Sequence, residues 1–200
     1  MSDERKILKP ATATPERDVR RLLAAVFVVK LSKLMLATTI LSMVATPFLV
    51  PSAVLWFFLA VTGAFALVYC TSWYLAVHDR ADVAAWVFVV GTLVGQMGAL
   101  TMNPNLSEQA LVSSVNLIFA AGFMLGRRSA LSVSATCLLL MVVFATFFDL
   151  GWLPEPMVVV TNPMRLMAIV ATLMVTAGLT YLGIQYMVEA IDQARKSEAR

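Results

Sequence analysis

The 200-residue sequence is 60% hydrophobic and 14% charged, with a mean hydropathy of +0.83, where an ordinary soluble domain has about 45–50% apolar and about 25% charged residues. That much apolar surface cannot be hidden in one small core, which excludes a water-soluble globular domain and requires lipid around much of the chain. The net charge is only +3, and the basic residues flank apolar runs, a placement that topology explains better than nucleic-acid binding.

Residues 1–14 are polar, contain Pro10 and read as a cytoplasmic tail without fixed structure. Thr14-Pro15-Glu16-Arg17 then has the signature of a helix start, with Thr as N-cap, Pro at the first position and an acid in the first turn. Arg17, Arg20, Arg21 and Lys30 punctuate the next residues, so 15–30 is expected to lie along the inner membrane surface with its basic heads toward anionic lipid. The transmembrane domain is expected at 31–188. Its first span runs from about Leu31 to Val50, with Lys33 snorkelling at the inner rim. Pro47, Pro51 and Ser52 interrupt an apolar stretch too long for one crossing.

The second span is expected over Ala53–Val77, ended by His78-Asp79-Arg80-Ala81-Asp82, and the third over Val83–Thr101, ended by Met102-Asn103-Pro104-Asn105. Gln109–Gly126 reads as a fourth, shorter span with a more polar start, and Ala130–Leu150 as a fifth. The sixth begins near Met164, after the proline-rich link from Gly151 to Pro163, and continues through 189–200 as the start of a cytoplasmic helix. Each apolar segment holds about 18–25 residues, the length that a roughly 30 Å hydrocarbon layer needs at about 1.5 Å per residue. The expected fold class is therefore an all-α bundle of six transmembrane helices.

With the N-terminus inside, the inner segments collect 14 of the 15 Lys and Arg, leaving Arg165 outside, so the positive-inside rule puts both ends in the cytoplasm. Trp56 and Trp152 then fall at outer ends, and Trp73, Tyr74, Trp86 and Tyr186 near inner ends, as interfacial aromatics do. The charged preface is too long for a cleavable signal, and the first apolar run leads into another span. Cys70 and Cys137 lie in apolar runs and suit packing.

From Glu189 to Arg200 the sequence is rich in helix formers and has no Gly, Asn or Pro to stop the helix. Ile184, Met187, Ile191 and Ala194 recur at steps of three and four, a seam that can pair with a second copy. The expectation is that the natural protein continues into a cytoplasmic output domain; the alternative is a solvated tail anchoring the last span.

Three segments carry a resemblance: Ala120-Ala121-Gly122-Phe123-Met124-Leu125-Gly126-Arg127-Arg128, Leu150-Gly151-Trp152-Leu153-Pro154, and Ala194-Arg195-Lys196-Ser197-Glu198-Ala199-Arg200. In these, and in its layout over roughly residues 17–200, the chain resembles the six-span membrane-associated sensor modules of bacterial sensor histidine kinases and diguanylate cyclases. It departs from them at Met102-Asn103-Pro104-Asn105-Leu106-Ser107, where many of those modules have a glycine pair and a Ser-Pro. The resemblance implies a homodimer in the bacterial inner membrane, with a kinase or cyclase output domain in cis.

Polar side chains within spans are costly and worth naming. Gln96 and Asn116, with Thr92, Ser113 and Ser114 at similar depth, either line a pocket between helices or make interhelical hydrogen bonds that fix packing. Gly91, Gly95 and Gly98, and Gly122 with Gly126, place small residues on helix faces, for close packing within one bundle or for a dimer contact. Arg165, Asp149 and Glu155 cluster at the outer end, as a salt bridge worth about 0–1 kcal/mol or an anion contact.

No catalytic residue, metal site or cofactor is expected. The one histidine, His78, sits in a loop and cannot supply a pair of haem ligands, and the sixth span has no lysine for a retinal-type Schiff base. The spans carry no chain of acids or charges of the kind ion pumps use. The expected function is a sensory or regulatory input module that relays a small-molecule or membrane stimulus through its sixth helix. The competing classes are a small-solute transporter or channel subunit, which calls for internal repeats and broken helices, and a stand-alone membrane scaffold.

Overall fold

In a bilayer every backbone N–H and C=O must be satisfied within the chain, and a run of apolar residues achieves this by becoming helix. A computed structural model describes residues 15–49, 52–102, 107–153 and 162–198, with side chains at 15–22, 53–54, 102, 107–109, 162–168, 189–190 and 192–198 outside the description. Among the described residues there are six helices and no strand: α1 Pro15–Leu49, α2 Ser52–Val77, α3 Ala81–Met102, α4 Ser107–Leu125, α5 Arg127–Asp149 and α6 Asn162–Glu198. Five apolar stretches are long enough to cross a membrane, Leu23–Leu49, Leu55–Val77, Ala81–Thr101, Arg127–Asp149 and Ile169–Val188. The apolar part of α4 is shorter, Ala110–Leu125.

Consecutive helices alternate in direction. One end of the bundle, here called proximal, holds the start of α1, the end of α6 and the turns at 78–80 and 126; the other end is distal. The α2–α3 turn ends α2 with a Schellman cap, in which Asp79 takes the left-handed conformation (φ 60°) and Arg80 N–H reaches Leu75 O at 3.0 Å. At the distal end α5 closes the same way. Gly151 (φ 68°) donates to Phe148 O and Trp152 N–H to Phe147 O, both at 3.0 Å, and the Phe147 and Trp152 rings meet at 5.4 Å. That ring contact is the apolar pair that commonly accompanies the motif. Between α4 and α5 stands Gly126 alone, at φ 89° and ψ 177°, a conformation open to glycine and strained for other residues.

Two helices sit at the centre. α1 packs against α2, α3, α4 and α6; α4 packs against α1, α3, α5 and α6; α5 rests mainly on α4. The core is built from Phe27, Val28 and Leu31 of α1, Phe88 and Val89 of α3, Leu117 and Ala121 of α4, and Leu179 of α6. At its proximal side Phe27, Phe123 and Tyr186 form a triangle with ring separations of 5.2, 6.0 and 5.7 Å, joining α1, α4 and α6. A buried polar chain ties the first three helices together. Ser32 donates to Ser72 at 3.3 Å, and Ser72 donates to Ala84 O at 2.8 Å.

No break in α1 marks residue 31, where its interfacial part is expected to give way to the first span: the helix is continuous from Pro15, and Leu23, Ala24, Phe27 and Val28 are buried in the bundle. The interruption expected over Pro47, Pro51 and Ser52 is present: Pro47 sits in the last turn of α1, the helix ends at Leu49, and α2 begins at Ser52. The 1–14 tail and the 103–105 turn lie outside the described residues, as do the side chains of Arg17, Arg20 and Arg21.

Candidate functional site

Toward the distal end five helices line a partly open cavity of about 300 Å³, at the lower end of the range for small-molecule sites. α1 contributes Thr38, Thr39 and Ser42; α2 contributes Thr62, Phe65 and Tyr69. α3 adds Thr92, Gln96, Ala99 and Leu100, α4 adds Ala110 and Ser113, and α6 adds Ala171 and Thr172. Among the described residues the lining holds seven Ser or Thr hydroxyls, one phenol and one amide, and no charged side chain.

The protons of several of these hydroxyls are already committed. Thr38 Oγ1 donates to Met35 O at 2.9 Å and Leu34 O at 3.2 Å, Thr39 Oγ1 to Met35 O at 2.7 Å, and Thr62 Oγ1 to Phe58 O at 2.8 Å. Back-bonding of this kind is the usual refuge of Thr inside an apolar helix, and it leaves the oxygen lone pairs available to the cavity. Gln96 is 7% exposed. Its Nε2 donates to Ala110 O at 2.6 Å and to Ser114 Oγ at 3.3 Å, while Ser114 Oγ donates to Ala110 O at 2.8 Å. A carbonyl only accepts, so this contact fixes which end of the Gln96 amide faces α4. Its Oε1 is buried without a hydrogen-bond partner, and Thr92 Oγ1 lies within reach of the Tyr69 phenol. An unmet buried acceptor costs about 1–3 kcal/mol, so a polar guest that satisfies Gln96 is stabilised.

Of the five residues expected to share a site, Gln96, Thr92 and Ser113 line the cavity. Ser114 stands behind Gln96 as its hydrogen-bond partner. Asn116 turns away. Its Nδ2 donates to Thr176 Oγ1 at 2.9 Å, joining α4 to α6 beside a void of about 30 Å³. Thr38, Thr39, Ser42, Thr62, Tyr69 and Thr172 supply the other hydroxyls of the lining and escape sequence reading, because hydroxyls scattered over three spans show no spacing that links them. One signal was available. Thr38, Thr39, Thr62 and Thr172 all fall in the distal halves of their spans.

The glycines divide by neighbour. A Cβ on Gly91 would lie 2.6 Å from Val68 Cγ1, and one on Gly95 would lie 2.7 Å from the Phe65 ring. Both therefore let α3 approach α2 within a single chain. Gly122 has only Ala130 nearby at 3.6 Å, and Gly98 faces open space. Gly126 makes the α4–α5 connection. On α6, Gly178 abuts Leu34 and Gly183 abuts Phe123, two close approaches not anticipated from sequence. Ile184, Met187 and Ile191 are 55%, 52% and 53% exposed, so within one chain nothing covers that face; the Ala194 side chain lies outside the description. At the distal end Asp149 is exposed, while Glu155 and the Arg165 side chain lie outside the described residues.

Comparison with known proteins finds no matching family model, no matching curated protein and no matching solved structure.

Proposed function

We propose that the chain is a membrane-embedded input module in which a small molecule in the distal cavity biases the position of α6, and α6 carries that bias to its proximal end. One observation carries the reading: Ala171 and Thr172 form part of the cavity wall, and the same unbroken helix continues to Glu198. From Ala171 to Ile191 the axial distance is about 30 Å at 1.5 Å per residue, enough to link one face of a bilayer to the other. A guest that favours one packing of α6 over another shifts the population of the two by its difference in affinity.

The proposal includes six crossings with both ends in the cytoplasm. α4 is short of a full span by apolar length, yet it runs the same depth as its neighbours, from Ala110 beside Gln96 to Phe123 beside Phe27. The lysines and arginines whose side chains are described, Lys30, Lys33, Arg80, Arg127 and Arg128, all sit at the proximal end, which supports reading that end as the inner face of a bacterial cell membrane. Two copies pair through Ile184, Met187 and Ile191 at the proximal end of α6, and a cytoplasmic output domain in cis, of the histidine kinase or diguanylate cyclase kind, reads the pair.

Single cysteines at 184, 187, 188 and 191, in a Cys70→Ser/Cys137→Ala background, test this by oxidative cross-linking in native membranes. Strong cross-linking at 184, 187 and 191 with little at 188 is expected. Ala171→Phe, which fills the cavity beside α6, should move the maximum by at least one position. Uniform or absent cross-linking refutes the paired helix, and a pattern indifferent to Ala171→Phe refutes the relay.

A further inference from the structure

The geometry points to the class of molecule that the cavity takes: a small, uncharged, largely apolar compound that carries a hydrogen-bond donor. This deepens the proposed function and rests on the cavity being the stimulus site. Size sets the first limit. About 300 Å³ is room for on the order of ten waters at about 30 Å³ each, too small for a lipid tail with its headgroup and far larger than a bare cation.

Charge sets the second limit. Among the described residues no ionised side chain lines the cavity, and burying an unpaired carboxylate or ammonium costs several kcal/mol even after relaxation. The guest is neutral.

Polarity sets the third. Gln96 Oε1 is an acceptor with no donor, held in place because its own Nε2 is anchored on Ala110 O at 2.6 Å. The Thr38, Thr39 and Thr62 hydroxyls spend their protons on their own helices and turn lone pairs outward. Gln96 Oε1 is the group that only a donor on the guest can satisfy, whereas the Ser42 and Ser113 hydroxyls and the Tyr69 phenol can donate or accept and so serve a guest with or without a donor. The remaining surface, from Phe65, Leu100 and Ala171 among others, is apolar and suits a hydrocarbon or aromatic body. A hydroxylated or N–H-bearing aromatic that dissolves in the bilayer satisfies all three limits.

Three probes of one shape separate these terms: phenol has a donor, anisole has only an acceptor, and toluene has neither. Binding is measured on the full chain in lipid nanodiscs by ligand-observed NMR, with empty nanodiscs subtracted. Phenol should bind about ten times more tightly than anisole or toluene, the factor that one well-placed hydrogen bond to a buried acceptor supplies. Gln96→Leu should bring the three within about threefold of one another. Should Gln96→Leu not fold, Ala171→Phe, which leaves every polar group in place, should weaken phenol about as much as toluene.

Equal binding of anisole and phenol to the natural chain overturns the donor requirement, and so does undiminished phenol preference in Gln96→Leu. Failure of all three probes to bind, or undiminished phenol and toluene binding in Ala171→Phe, shows that water alone fills the cavity and overturns the assignment. The α6 cross-linking pattern, followed in the same samples, keeps the two ideas apart. Donor-selective binding that leaves the pattern unmoved retains the ligand class and refutes the relay. A pattern that moves equally with anisole and phenol retains the relay and refutes the donor rule.

Discussion

Adding one methyl group at Gly91 should destabilise the bundle, while the same addition at Gly98 should stabilise it, although both glycines lie on α3. Replacing Gly by Ala in a helix gains about 0.8–1.0 kcal/mol in backbone propensity at either site. At Gly98 a Cβ meets nothing within 4 Å, so that gain stands alone. At Gly91 the new carbon would lie 2.6 and 2.9 Å from the two γ-methyls of Val68 and 3.3 Å from its Cβ. Val68 is β-branched and stiff at χ1, so it cannot swing clear, and α2 and α3 must part. Overpacking of this kind costs about 1–3 kcal/mol. Propensity cancels between the two variants, and the difference between them should equal that cost.

The assay is reversible unfolding in mixed lipid–detergent micelles, with helicity followed as denaturing detergent is titrated in. A double-mutant cycle adds the causal test. Val68→Ala should relieve Gly91→Ala and leave Gly98→Ala unchanged, with a coupling of about 1 kcal/mol or more. If Gly91→Ala and Gly98→Ala lie within about 0.5 kcal/mol of each other, or if Val68→Ala fails to couple, the close approach of α2 and α3 is refuted.

Three further outcomes are expected. Ser72→Ala removes the donor to Ala84 O and the acceptor for Ser32 and should cost about 0.6–1.7 kcal/mol, the range of interhelical hydrogen bonds in membranes; adding Ser32→Ala should cost little more, and strictly additive losses in the same titration would contradict the chain. Gly126→Ala places a side chain at φ 89° and should lower stability by about 1–3 kcal/mol, whereas Asp79→Gly, at φ 60°, should be neutral or stabilising. Trp152→Cys and Asp79→Cys, in a background lacking Cys70 and Cys137, should react with an impermeant maleimide from opposite sides of the membrane, Trp152→Cys from outside intact cells. Labelling of both from one side contradicts the odd number of crossings between the two turns.

The helices were legible because lipid leaves the chain few choices: long apolar runs become helices, and charge with proline marks where they stop. Legibility failed where partners decide. The sequence of α1 shows a basic, half-apolar start and then a span, and only Phe123 and Tyr186, contributed by later helices, explain why Phe27 is buried instead of resting on lipid. Gln96 and Asn116 were both recognisable as polar groups in spans. Which one faces a cavity and which one ties α4 to α6 depends on helix rotation, and α3 and α4 bear apolar residues on most of their faces. The glycines carry the same lesson: Gly91, Gly95 and Gly98 look alike in sequence, and the neighbours on α2 separate them.

The hydrogen bond from Asn116 to Thr176 spans 60 positions of the chain. A ribosome adding about 5–20 residues per second takes roughly 3–12 seconds to cover that distance. During the interval α4 rests against α1, α3 and α5 with the Asn116 amide still lacking its partner on α6. Newborn chains are therefore most open to degradation by membrane proteases before α6 arrives, and mutations that weaken the α3–α4 contact should lower the yield of protein before they alter what the finished molecule does.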